Sequence, residues 1–220
     1  MRRGKRTKKG YAAIEKTSRR AAPRLTAANC GAQNGSSYAV EPIRTGEAAT
    51  LKICIVSDSH DHREPLAAAV AEAKSLGAQA VLHCGDLVAP STLHAVIPLG
   101  LPIHLIHGNN AGDVFHLSRF AHEPGNRVSY YGQDGSLTLA QRRIFIVHYP
   151  HYARAIALTG DYDLVCNGHE HSAVVERIRN IKGEDTLRVD PGTVAGVSAP
   201  ATYVFGDLQT LEFRIRPVPS

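Results

Sequence analysis

The chain has 220 residues, and its apolar fraction of 43% is typical of a protein with one sizeable hydrophobic core. No stretch approaches the roughly 18 consecutive apolar residues that a membrane span needs, and the charged N-terminus lacks the apolar segment of a secretory signal, so we expect a cytoplasmic protein. The net charge of +5 is unevenly distributed, because residues 1–50 carry 11 Lys and Arg against 3 Asp and Glu, whereas residues 51–220 carry 14 against 17.

Residues 1–48 are predicted to form a disordered basic tail. They show no sustained apolar period, and a Lys- and Arg-rich run is followed by sequence rich in Gly, Ser, Asn and Ala. Three interpretations of the tail remain open: a solvated extension or wrongly assigned start, a segment that binds anions or nucleic acid, and an Arg-rich transit peptide. Residues 49–220 are predicted to form the folded domain.

From Leu51 onward, short apolar runs alternate with helical patterns, which is typical of a layered α/β fold. Strands are predicted at LKICIVS, QAVLHC and PIHLIH, and helices are predicted to begin at Pro65 and to include STLHAVIPL and GDVFHLSRFAHE. The second half is predicted to be mostly strands, with one short helix at HYARAIAL. Two sheets packed face to face, with helices outside, would bury all of these strands.

Polar clusters follow five of the apolar runs. The clusters are Asp58 with His60, Gly85 with Asp86, Gly108 with Asn109, His148 alone, and Gly168 to His171. Each cluster alone is common outside metal sites, but five in this order indicate one site, since the loops at the carboxyl ends of strands bind ligands in such folds. Together they would gather two carboxylates, four imidazoles and one amide, which suit divalent Mn, Fe, Co, Ni or Zn. Seven ligands are too many for one ion, and a bridging carboxylate would let them hold two.

The motifs DSH, GD, GNN, VH and GHEH resemble the five-part signature of the calcineurin-like metallophosphoesterases, over about residues 51–216. The segments VDPGTVAG and ATYVFGDLQTLEF most resemble the small bacterial and archaeal phosphodiesterases of that superfamily, whose fold is a four-layer αββα sandwich. The resemblance implies a first metal ion and a second ion that shares Asp86 with it, with Mn the first expectation and Ni, Fe, Co or Zn as alternatives. The implied ligands are Asp58, His60, Asp86 and His171 for the first ion, and Asp86, Asn109, His148 and His169 for the second.

The resemblance further implies a phosphodiesterase in which the two ions share a bridging hydroxide that attacks phosphorus in line. The expected substrate is a small phosphodiester or phosphomonoester, because so compact a domain has no spare segment for a large cap. A nuclease or nucleotide phosphatase, with the basic tail steering nucleic acid, is the alternative enzyme. A protein-binding scaffold on the same fold, as in a retromer subunit, is the alternative of another class, although no ligand of the signature is missing here.

The sequence departs from the wider family after Gly108-Asn109, where Asn110 and Ala111 stand in place of the usual His and acid. An amide can donate a hydrogen bond to phosphate but cannot protonate a leaving group, so we predict a preference for activated leaving groups. His62 is a candidate for the missing acid or for a phosphate contact, and a solvated loop histidine explains it equally well. The predicted catalytic residues are Asp86, Asn109, Asn110 and His62.

Tyr149 follows His148 at a position where the family usually has Gly. Its ring would crowd the pocket or stack on a substrate base, and packing in the core explains it equally well. The pattern of residues leaves these alternatives open, and it leaves the oligomeric state open too.

Overall fold

The computed structural model describes residues 50–220, and the predicted basic tail lies outside the described residues. The strands are β1 (Lys52–Val56), β2 (Ala78–His83), β3 (Ile103–Leu105), β4 (Val128–Tyr130), β5 (Asp134–Leu139), β6 (Arg142–Val147), β7 (Leu164–Cys166), β8 (Val174–Arg179), β9 (Asp185–Asp190), β10 (Thr202–Asp207) and β11 (Glu212–Pro217). The α-helices are α1 (Arg63–Ser75), α2 (Val114–Ala121) and α3 (Pro150–Thr159). None of these helices combines the length and apolar character needed to cross a bilayer.

The strands form two mixed sheets. The first has the order β11-β10-β1-β2-β3-β4, in which β1 to β4 are parallel and β10 joins β1 in the antiparallel direction. The second has the order β5-β6-β7-β9-β8, with a parallel centre from β6 to β9 and an antiparallel strand at each edge. Parallel strands align their carboxyl ends, so the loops that follow them leave the sheet on the same side.

Alternate residues of β1 serve two different cores, as expected for a central strand buried on both faces. Ile53 and Ile55 pack against residues of the second sheet such as Ile144, whereas Cys54 and Val56 pack beneath α1 and α2. On the far side, α3 covers the outer face of the second sheet. The four-layer αββα sandwich predicted from the sequence is therefore confirmed for the described residues.

Helix α1 shows how the sequence builds one outer layer. Its buried face consists of Leu66, Ala69, Val70 and Ala73, and the chain leaves the helix at Gly77, whose φ of +96° suits glycine at this position. The short helix predicted at STLHAVIPL is present as two 3-10 helices, Pro90–Ala95 and Ile97–Leu99, and not as one continuous helix. Pro98, in the interior of this stretch, cannot donate the backbone hydrogen bond that a continuous α-helix needs there, whereas Pro90 at the first position is compatible with a helix.

Candidate metal centre

The predicted cluster around Asp58 is present in the structure, in the loops that follow β1, β2, β3, β6 and β7. The Asp58 side chain is fully buried, and its Oδ1 lies 3.3 Å from Nε2 of His171, 3.8 Å from Nε2 of His60 and 4.0 Å from Nε2 of His148. Within residues 50–220, this Oδ1 is the buried side-chain oxygen or nitrogen atom that has no hydrogen-bond partner. A buried carboxylate oxygen without a partner is unfavourable unless a cation compensates its charge.

The Asp86 carboxylate lies near two of these histidines, His148 and His60. Its Oδ1 is 3.3 Å from Nε2 of His148, and its Oδ2 is 3.9 Å from Nε2 of His60. Two sets of potential ligand atoms, each within 4.8 Å of one another, therefore share the Asp58 carboxylate: one with His60 and His171, and one with Asp86 and His148. Asp86 belongs to the second set only, and its Oδ2 is the carboxylate oxygen that faces His60 of the first set.

Hydrogen bonds to backbone carbonyls fix the orientation of two of these rings. Nδ1 of His148 donates to the Cys84 carbonyl at 2.8 Å, and Nδ1 of His171 donates to the Val197 carbonyl at 2.8 Å. A carbonyl can only accept, so Nε2 of each neutral ring presents a lone pair to the cluster. Both rings are therefore held in the orientation that a metal ligand requires.

The lone pairs face other side-chain oxygen and nitrogen atoms. Nε2 of His148 lies 3.0 Å from Oδ1 of Asn109, and Nε2 of His171 lies 3.2 Å from Nε2 of His60. Oδ1 of Asn109 is also 2.8 Å from Nδ1 of His169, which brings the last predicted ligand to the cluster. Convergent oxygen and nitrogen acceptors, with no thiolate among them, fit divalent transition-metal ions.

The backbone is strained at the same positions. Five predicted ligands adopt positive φ angles although they are not glycine: Asp58 (52°), His60 (41°), Asp86 (55°), His169 (82°) and His171 (56°). Such conformations cost free energy and persist where the surrounding structure enforces them, which is common at functional sites. The strain is thus concentrated where the sequence predicts metal ligands.

The glycines of the motifs leave room for this cluster. A Cβ atom at Gly108 would overlap Oδ1 of Asp86 and lie 2.7 Å from Nε2 of His148. A Cβ atom at Gly168 would overlap Oγ of Ser57 and lie 2.6 Å from Oδ2 of Asp58. Both glycines are required because the backbone passes directly against a carboxylate of the site.

Of the predicted catalytic residues, Asn110 contacts the cluster and His62 does not. Asn110 donates to Asp86 twice, from its backbone N–H to Oδ1 at 2.9 Å and from its side-chain amide to Oδ2 at 2.6 Å, so it orients this carboxylate. His62 is exposed and precedes α1 without a side-chain hydrogen bond to the helix terminus. In the described part of the chain, none of the contacts among the clustered ligands involves His62.

His83 is a supporting residue that the motifs do not reveal. Its buried ring accepts a hydrogen bond from Gly85 N–H at Nδ1 (3.3 Å), so that Nε2 donates to Oγ of Ser59 at 3.0 Å. The ring therefore joins the loop that carries Asp58 to the loop that carries Asp86. In the sequence it is one more residue of an apolar strand, and nothing distinguishes it from a packed imidazole.

The pH dependence of stability tests the burial of His83. Burial is the main cause that lowers its pKa from 6.5 to about 3. Below pH 6.5 the histidine becomes protonated in the unfolded chain, whereas in the native protein it stays neutral down to about pH 3. The free energy of unfolding therefore decreases as the pH falls through this range. The measurement is the free energy of unfolding in urea at pH 7 and at pH 4.5. We expect it to decrease between these two pH values by about 2 to 3 kcal/mol more in the wild type than in His83→Gln. Parallel pH profiles for the two proteins would contradict this assignment.

A second buried network supports the loop of His169. Arg188, although almost fully buried, donates to Oδ1 of Asn167 at 2.9 Å and to Oε1 of Glu176 at 2.7 Å. Asn167 in turn donates to Oδ2 of Asp190 at 2.7 Å. Burial raises the pKa of Asp190 to about 7, against the opposing hydrogen bond from Gly192 N–H and the charge of Arg188. The network fixes the position of Asn167, which precedes Gly168. Of its side chains, only that of Asp190 lies in VDPGTVAG, a segment that carries the family resemblance.

The ring of Tyr149 lies against the centre. It makes edge contacts with His169, at a centroid distance of 5.0 Å, and with His148, at 5.4 Å. Tyr149 is half-buried at the start of α3. It is therefore a neighbour of two candidate ligands.

Comparison with known proteins identifies the family and the fold. The calcineurin-like phosphoesterase superfamily domain matches residues 51–211. A phosphodiesterase of Methanocaldococcus jannaschii is 28% identical over 167 residues, which cover 74% of this chain and 97% of that protein. The structure of an archaeal phosphodiesterase superposes with a TM-score of 0.68 and 26% identity, over 76% of this chain and 99% of that one.

A phosphoesterase from E. coli shares the fold, with a TM-score of 0.53 and 15% identity over 77% of this chain and 100% of that one. The family and the names of its members support the predicted class of phosphoester hydrolases. The match over residues 51–211 covers most of the chain and includes every predicted metal ligand. The chain belongs to the calcineurin-like phosphoesterase superfamily, as its motifs predicted.

Proposed function

We propose that the protein is a metal-dependent phosphodiesterase that acts on a small or exposed phosphodiester and uses two divalent cations, with Mn²⁺ the first expectation. The observation that carries this proposal is the unpartnered Oδ1 of buried Asp58, surrounded by Nε2 atoms of three histidines. The reaction class is supported by two relatives that are described as phosphodiesterases.

We propose that the two cation sites share Asp86, which is supported by the approach of one of its oxygens to His148 and of the other to His60. One would be held by Asp58, His60, Asp86 and His171, and the other by Asp86, Asn109, His148 and His169. Divalent cations at such a pair of sites supply a water nucleophile of lowered pKa and neutralise charge on the phosphoryl oxygens.

The protein contributes orientation. Asn110 donates a hydrogen bond to each oxygen of the Asp86 carboxylate. This carboxylate is oriented with Oδ1 towards His148 and Oδ2 towards His60. The carbonyls of Cys84 and Val197 hold the His148 and His171 rings in place. Because these hydrogen bonds are already formed, the ligands need little rearrangement before substrate binds.

The site is open on one side. Asn109, Asn110 and His169 are exposed, whereas Asp58, Asp86 and His148 are buried behind them. A phosphate group approaching from the exposed side would meet the centre while both of its ester substituents extend away from it. Such an entrance suits a diester as well as a monoester.

Hydrolysis of bis-p-nitrophenyl phosphate tests this proposal. Metal-stripped protein and protein reconstituted with Mn²⁺ are compared, and p-nitrophenyl phosphate is assayed in parallel as the monoester. We expect turnover that requires metal and favours the diester. Failure to hydrolyse either ester with Mn²⁺, Ni²⁺, Fe²⁺, Co²⁺ or Zn²⁺ would overturn the proposal and favour a scaffold that binds a protein partner.

The amide at position 110 leads to a prediction about leaving groups. Because Asn110 cannot donate a proton, and because its amide is engaged with Asp86, expulsion of a poor leaving group receives no general-acid assistance from this position. We expect kcat for a simple alkyl diester to be lower by at least about 10²-fold than for the p-nitrophenyl ester, since general acids contribute about 10² to 10⁴-fold. Equal kcat values on the two esters would refute this expectation.

A further inference from the structure

Aromatic rings extend from the metal centre along the start of α3. Tyr149 contacts His169, and its ring centroid is 5.8 Å from that of His151 and 6.0 Å from that of Tyr152. His151 and Tyr152 are themselves 4.2 Å apart, with an interplanar angle of 42°. Tyr149, His151 and Tyr152 form a continuous group that we call the aromatic platform.

The platform is open to solvent at its outer end. His151 is exposed, and 51% of the Tyr152 surface remains accessible. Aromatic rings this large normally bury their faces, and exposed rings beside a catalytic centre are typical of surfaces that bind another ring. Tyr149, by contrast, is half-buried and connects the exposed pair to the candidate ligands.

A cavity of about 280 Å³ adjoins Tyr152. Its apolar walls are formed by Phe145, Val147 and Ile156, together with Tyr152 itself. The exposed side chains of Gln133 and Asp134 complete its lining. Apolar walls with a few polar groups are the usual features of a small-ligand site.

The chemistry of this surface matches a nucleobase. A base presents two flat faces that stack on tyrosine and histidine, and an edge that requires hydrogen-bond donors and acceptors. The amide of Gln133 offers both donors and an acceptor, and the carboxylate of Asp134 offers acceptors. A plain aliphatic substituent would use the apolar walls but would make no hydrogen bond with either of these groups.

We propose that the aromatic platform and the adjoining cavity bind the nucleobase of a nucleoside phosphodiester whose phosphate lies at the metal centre. This inference rests on the proposed phosphodiesterase function and specifies its substrate class. The position of Tyr149 carries the link, because its ring contacts both His169 and the exposed rings of His151 and Tyr152. Tyr152 is the ring most available for stacking.

The test compares two diesters with the same leaving group, thymidine 5′-(p-nitrophenyl phosphate) and methyl p-nitrophenyl phosphate. The readout is the ratio of kcat/KM for the nucleoside ester to kcat/KM for the methyl ester. In Tyr152→Leu we expect this ratio to fall at least about fivefold, as for the loss of one base–aromatic stack. Tyr152→Phe keeps the ring and should keep the ratio. Leu158→Ala, at an exposed position in the last turn of the same helix, is the matched control and should also keep it.

Binding of thymidine 5′-monophosphate and of a short oligothymidylate, followed by calorimetry in the presence of Mn²⁺, provides a readout that does not depend on turnover. We expect Tyr152→Leu to weaken the binding of whichever of these two ligands the wild type binds. The ligand that the wild type binds more tightly identifies the source of the base as a free nucleotide or as a strand end. An unchanged ratio together with unchanged affinity would overturn the proposal, as would binding of neither ligand by the wild type. Absence of any hydrolysis of the methyl ester by the wild type would instead contradict the phosphodiesterase function itself.

Discussion

Replacement of Asp86 by Asn is expected to abolish turnover and to remove at least one bound Mn²⁺. The two oxygens of Asp86 lie towards different sets of histidines, and an amide replaces one of them with a nitrogen that cannot coordinate in the same way. We expect kcat to fall at least about 10³-fold, which corresponds to about 4 kcal/mol of transition-state stabilisation. The measurements are the diester hydrolysis rate and the metal content of the purified variant.

Asp113→Asn is the matched control for this variant. Asp113 is the next acid along the chain, lies in the loop between β3 and α2, is exposed, and accepts a hydrogen bond from His116 N–H at the start of α2. Asparagine caps a helix about as well as aspartate does, so this change should leave folding, metal content and turnover intact. Full activity and full metal content in Asp86→Asn would show that the shared carboxylate has another role.

Replacement of Gly168 by Ala is expected to disrupt the centre by steric overlap. The added methyl group would occupy the space of Ser57 Oγ and come within 2.6 Å of Asp58 Oδ2, so the Asp58 loop or the Gly168 loop must move. We expect a loss of about 1 to 3 kcal/mol in the free energy of unfolding, as for other overpacked sites. We also expect at least about tenfold weaker Mn²⁺ binding, because the ligand geometry is displaced.

Gly125→Ala separates this steric effect from a general cost of replacing glycine. Gly125 has a φ of +92°, but a Cβ atom there would have no neighbour within 4 Å. This variant should lose about 1 kcal/mol of stability through backbone strain and keep wild-type Mn²⁺ affinity. If Gly168→Ala bound Mn²⁺ as tightly as the wild type, the close packing of Gly168 against Asp58 would not matter for the metal.

The architecture and the identity of the clustered residues could be predicted because both leave periodic signals. Apolar runs that each end in Asp, Asn or His indicate strands whose carboxyl ends lie at the same edge of a sheet. Asp58 and Asp86, which follow two such runs, are close together in the structure. The division of STLHAVIPL into two 3-10 helices could not be predicted in this way, since its apolar spacing is helical and only Pro98 in its interior opposes one continuous helix.

The supporting contacts could not be predicted, because they depend on which face of a strand a residue occupies and on what lies opposite. His83 and Arg188 each belong to an apolar strand, and their partners Ser59 and Glu176 are many residues away in the sequence. The orientation of Asn110 was equally hidden: its sequence position suggested a phosphate contact, whereas its amide lies against Asp86. Pairings of this kind become visible only when the loops have been brought together.

Titration of Mn²⁺ into metal-stripped, full-length protein, with bis-p-nitrophenyl phosphate hydrolysis followed at each addition, tests the central claim most directly. The clustered acceptors around Asp58 and Asp86 predict activity that is absent without metal, rises with added Mn²⁺ and reaches its plateau near two ions per chain. Hydrolysis that is already maximal without metal, or that stays at zero when Mn²⁺ is in excess, would contradict the account.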